Sequence, residues 1–229
     1  MTSSATLSPM STIKDLVVLG GGGHARVVIQ AAQSRPTEWN VVGYVDPNKR
    51  DASRLGARYL GEDAARVAAD PTFARCRFVL GIGSTFQARA RREVVDRVKL
   101  PADRWATVVH AHAIVSPTAV LGPGTVVLAG ALVNANASVG PHCIVNSGAI
   151  LEYDAVLGPY VHAAPAVVVA ARAKIGEGSY LGIGCRIRER LTLGDNVKVG
   201  MGAVVLRSVP NDRVVIGVPA KDMAPADER

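Results

Sequence analysis

The chain has 229 residues, a formal net charge of +7 and only 4% aromatic residues. That length allows one large domain or two modest ones with a core of Val, Ile, Leu and Ala, and no run of about 18 apolar residues predicts a membrane span. The charge excess is +6 in residues 1–105 and +1 in 106–229, and without stacking aromatics or a binding motif it predicts no nucleic-acid partner.

Residues 1–12, MTSSATLSPMST, read as a disordered leader rather than a signal peptide, because they lack a charged and an apolar region. Strand-like and helix-like segments then alternate. Residues 15–20 are a short apolar strand and 24–33 a helix. Residues 40–46 are a second strand and 61–69 a helix. Residues 76–83 are a third strand and 84–99 a third helix, whose QARARREVVDRVK run reads as a solvated arginine-rich face. This order predicts a small parallel sheet with helices on its faces, binding ligands at the carboxyl ends of its strands.

Residues 20–25, GGGGHA, lie between the first strand and helix. Glycines there let the backbone approach a phosphate, and a helix N-terminus favours its charge. The stretch also fits a dinucleotide fingerprint, with Asp46 as the acidic partner at a spacing somewhat beyond the usual one of about 20 residues. A bare glycine turn is the third reading.

From Ala113 the period changes. Residues 113–208 divide into hexads without an insertion, running AIVSPT, AVLGPG, TVVLAG and onward to AVVLRS. The third position is aliphatic or Ala throughout, and the first is mostly small. This predicts a parallel β-helix of hexapeptide repeats, three hexads to a triangular coil. Cys76, Cys143 and Cys185 sit far apart among aliphatic residues. They read as small core hydrophobes in a reducing cytoplasm, with no spacing that predicts a metal.

Four stretches carry a family likeness: VVLGGGGHARVV (17–28), GYVDPN (43–48), NSGAILEYDAVLGPYVHAAPA (146–166) and IGVPAK (216–221). With the hexads they resemble the left-handed β-helix sugar acetyltransferases of the sialic-acid O-acetyltransferase and nucleotide-amino-sugar N-acetyltransferase group. The resemblance implies an α/β Rossmann-like domain at 13–105 and a left-handed parallel β-helix at 106–229. It implies a cytoplasmic homotrimer with acetyl-CoA between neighbouring β-helices and no metal. A nucleotide-linked amino sugar is then expected at Gly22, Gly23, His24, Asp46, Pro47 and Gly83. Acetyl-CoA is expected at His162, Ala171, Ile183 and Met201.

The family places a histidine before an acidic residue as general base. Here Tyr153 precedes Asp154. A phenol has an ordinary pKa of about 10 against about 6.5 for imidazole, and a neighbouring carboxylate opposes its ionisation further. Three outcomes follow. An amine acceptor manages with little base help; another residue such as His162 or His24 serves; or the protein binds its ligands without transferring. A hydroxyl acceptor suffers most from the change, so the leading expectation is an N-acetyltransferase.

Overall fold

The computed structural model describes residues 13–48, 55–83 and 88–223. The expected leader, and the first four residues of the third expected helix, lie outside them. The N-terminal half contains β1 (Lys14–Leu19), α1 (Gly23–Gln33), β2 (Trp39–Val45), β3 (Tyr59–Gly61), α2 (Ala64–Ala69), β4 (Arg77–Leu80) and α3 (Ala88–Val98). The strands pair in parallel in the order β3-β2-β1-β4. Leu16–Leu19 of β1 are fully buried, as an all-parallel central strand requires. Chain direction across the sheet reverses beside β1, which opens a crevice at the carboxyl ends of β1 and β4.

Several details differ from the sequence reading. Tyr59–Gly61 form an edge strand, too short to show a period. The helix after it starts at Ala64, where Asp63 caps it by accepting the Ala65 and Arg66 N–H groups at 2.8 and 3.3 Å. The third helix is not wholly solvated either. Arg91 is only 1% exposed, because one side of α3 docks against the second half of the chain.

That second half is a left-handed parallel β-helix. Two-residue strands recur every six residues and pair 18 apart, as in Ile144↔His162↔Tyr180. Three flat faces result. The third residue of each hexad points inward, from Val127 through Val205. The array begins one hexad earlier than the sequence suggests, since Val108–Val109 already pair with Val126–Val127. The hexad at 107–112, TVVHAH, lacks the turn glycine that marks many later ones.

The two halves share a core. Val28 and Ile29 of α1 and Leu16 and Val18 of β1 pack with Val108, Val126 and Leu128 of the first coils. At the seam Trp105 bridges to Phe78 of β4. Its ring meets His142 edge-on at 4.8 Å, and His142 stacks on Tyr160 at 5.1 Å. The Arg92 guanidinium closes this column 5.1 Å from the Tyr160 ring. Trp105→Ala empties the column and is expected to lower unfolding free energy by about 3–5 kcal/mol. Urea unfolding followed by far-UV circular dichroism checks this, and an unchanged midpoint would show that the column contributes nothing.

Candidate active site

A cavity of about 470 Å³ opens at the carboxyl ends of β1, β2 and β4. All six residues expected to hold the sugar nucleotide, Gly22, Gly23, His24, Asp46, Pro47 and Gly83, line it. Gly22 caps α1 without a side-chain hydrogen bond, and no acidic residue occupies the first turn. The positive end of the helix dipole therefore faces the cavity without a side-chain cap, which suits a phosphate. Asp46 works as a clasp. Its Oδ2 accepts the Gly21 N–H at 2.6 Å and its Oδ1 accepts the Asn48 N–H at 2.9 Å. The carboxylate thus holds the glycine turn against the end of β2. Glu62 and Arg97 also line the cavity. Sequence reasoning missed both, because neither belongs to a motif and the fold alone brings them here.

Gly83 has a specific reason to be glycine. A Cβ there would lie 2.4 Å from the His24 ring, so the ring rests on bare backbone. From this position His24 reaches the β-helix, with its ring 6.4 Å from that of His162.

His162 lies on the coil face between Ile144 and Tyr180. It is 5% exposed, with Tyr180 edge-on at 5.3 Å. The Asn146 Oδ1 accepts the Ser147 N–H at 2.8 Å, which turns the amide nitrogen toward His162 Nε2 at 3.2 Å. Burial first, then the Arg91 cation and then His24 push the His162 imidazole down to about 3. Burial and Arg91 likewise push His24 down to about 4. Both rings are neutral at pH 7. A group that holds its proton so weakly is a poor general base, because an effective one titrates near the working pH. One buried nitrogen on each ring, Nε2 of His24 and Nδ1 of His162, has no hydrogen-bond partner among the described residues.

Tyr153 and Asp154 stand elsewhere on the prism, at the corner after the strand Ile150–Leu151. Tyr153 is 45% exposed. Asp154 accepts from Arg172 Nε at 3.3 Å, and the same guanidinium lies 5.6 Å from the Tyr153 ring. Ala171 occupies this corner one coil later, since coils repeat every 18 residues and the Arg172 N–H donates to the Tyr153 carbonyl. Ile183 and Met201 occupy a different corner, the one after the His162 face, and both are exposed. One chain therefore does not bring Tyr153 to His162. The expected acyl-site residues divide between two corners of the prism.

Comparison with known proteins gives each half of the chain its own family match. Residues 15–98 match the family described as PglD N-terminal domain. Residues 172–207 match that described as bacterial transferase hexapeptide (six repeats). The chain is 30% identical over 113 residues to the UDP-N-acetylbacillosamine N-acetyltransferase of Bacillus subtilis (strain 168), a stretch that is 49% of this chain and spans 50% of that relative. The acetyltransferase domain of PglB from Neisseria gonorrhoeae FA1090, solved with acetyl coenzyme A, superposes with a TM-score of 0.83 at 28% identity, covering 93% of this chain and all of that one. PerB from Caulobacter crescentus, solved with CoA and GDP-perosamine, gives a TM-score of 0.80 at 32% identity, covering 93% of this chain and 99% of that one.

Proposed function

The chain belongs to the hexapeptide-repeat sugar N-acetyltransferases, and on that premise we propose that it moves an acetyl group from acetyl-CoA to the amine of a nucleotide-linked amino sugar in surface-glycan synthesis. The observation that carries this reading is the junction of His24 and His162. The phosphate-suited cavity of the N-terminal half ends at His24, and the wall of the β-helix begins 6.4 Å away at His162. A nucleotide-sugar with its phosphates at the α1 N-terminus can extend its sugar along this line.

The chemistry is direct. The neutral amine attacks the thioester carbonyl carbon, a C–N bond forms, the C–S bond breaks, and the amine proton leaves with the CoA thiolate or to water. His162, paired with Asn146, lines the acyl end as a neutral imidazole. Tyr153 orients the acceptor through its hydroxyl instead of removing a proton. The backbone N–H of Ala171 is offered to the thioester oxygen, and Ile183 and Met201 bracket the pantetheine arm. Because Ala171 and Tyr153 share one corner while Ile183 and Met201 share another, the complete acyl site forms where two copies meet, in a homotrimer.

Free-thiol release from acetyl-CoA with UDP-, GDP- and dTDP-linked 3- and 4-amino sugars, from pH 6 to 9, tests the reading. Turnover with one nucleotide class is expected, rising with pH as the amine loses its proton. The replacement of the family histidine by Tyr153 favours one rival, a trimer that binds the nucleotide sugar without transferring. Tight binding with no thiol release for any sugar would establish that rival, and preference for a hydroxyl acceptor would make the protein an O-acetyltransferase. Gly83→Ala drives a methyl group into the His24 ring. It is expected to weaken nucleotide-sugar binding about tenfold or more, by calorimetry, with the circular dichroism spectrum kept. Binding equal to that of the parent would remove His24 from the site.

A further inference from the structure

Helix α3 lends the β-helix two adjacent arginines, and they do different things. Arg92 sits at the outer edge of the seam, ion-paired with Glu177 and stacked on the Tyr160 ring. Arg91 goes inside. It is 1% exposed and donates through Nη2 to the Tyr160 carbonyl, and its Nε finds no partner among the described residues. Among the described residues no carboxylate is paired with it. Burial brings its guanidinium down from the ordinary arginine range to about 10, so it remains a cation at pH 7. A buried, unpaired cation is costly to a fold, and a neutral residue of similar shape would fill the same space. From the N-terminal half the group facing it is His24, and from the coils they are His142, Cys143, Tyr160 and His162. Arg92 is its neighbour on α3, while Asp96 and Glu177 lie beyond, toward the Tyr160 phenol.

We infer that Arg91 is a positioning residue of the acyl-transfer site, pinning α3 to the coil carbonyl of Tyr160 so that the His24 and His162 rings meet across the seam in fixed geometry. The inference rests on the transferase reading for its kinetic consequence and on the seam alone for its structural one. Its electrostatic corollary is that the same cation adds to burial in keeping both rings unprotonated, so that neither competes for the proton of the incoming amine.

The test compares the R91M, R91K and R92M variants of the full-length protein. In R91M kcat is expected to fall about tenfold or more, while KM for the nucleotide sugar and Kd for CoA stay within about threefold. The imidazole proton signals of His24 and His162 are expected to move from their parent positions at constant pH, because the two rings lose the geometry that the pinned helix gives them. R91K, which keeps a donor for the Tyr160 carbonyl, should recover part of the kcat. R92M loosens the same helix from its outer edge and should leave the imidazole signals static. Static signals in R91M, or equal movement in R92M, would overturn the inference. If the parent shows no turnover with any sugar, the transferase reading fails, and the imidazole signals still decide whether Arg91 governs the two rings.

Discussion

His162→Phe is expected to lower kcat by about 10²–10³-fold, the usual consequence of removing one preorganised polar group from a transition-state site. KM for the nucleotide sugar should change little. The substitution keeps a ring against Tyr180 and removes both nitrogens, so the amide of Asn146, held by Ser147, loses the partner it has at 3.2 Å. A pH profile separates two roles. If His162 were the base, its loss would erase a titration from the profile. The neutral ring described above predicts instead that the profile keeps its shape and falls uniformly. A kcat within threefold of the parent would place His162 outside the acyl site.

The second large effect is on stability. His24, His142 and His162 stay neutral in the fold until about pH 4, 4 and 3 respectively, each chiefly because of burial. In the unfolded chain each takes up a proton near pH 6.5. Between those values the unfolded state binds more protons than the folded one, so stability falls as pH falls. The contribution is complete above about pH 6.5. At pH 5 it is reduced by roughly 2 kcal/mol for each histidine. Three together approach the whole stability of an ordinary domain, about 5–15 kcal/mol. The urea midpoint is therefore expected to drop by about half or more between pH 8 and pH 5. His162→Phe should remove one third of that loss. A midpoint constant across this range would mean that these rings protonate without unfolding.

Much of this architecture is legible from residues alone. One aliphatic side chain at every third hexad position, held in register from 113 to 208, leaves no freedom about which residues face inward. The glycine turn, Asp46 and Gly83 are recognisable because motif and strand end coincide. Arg91 is not. In sequence it is one of several arginines on an amphipathic helix, indistinguishable from Arg89, which is exposed and pairs with Glu93 on the helix surface. Only the docking of α3 on the coils makes one of them internal, and docking leaves no local period. The separation of Tyr153 from His162 is legible in the register: Tyr153 is the fifth residue of its hexad and His162 the second of the hexad two further on, which in a three-hexad coil sets them on different sides of the triangle.

The 18-residue coil has a consequence for how such a chain can change over generations. Adding or losing a single residue anywhere in 113–208 would rotate every later side chain out of its place. Interior aliphatics would turn outward, and His162 or Met201 would change faces. Losing or gaining a full 18 restores every facing and alters only length. The tolerated steps in this half are thus whole turns, copied or deleted, which gives its lineage a ratchet of fixed size. The loops of the N-terminal half carry no such quantum.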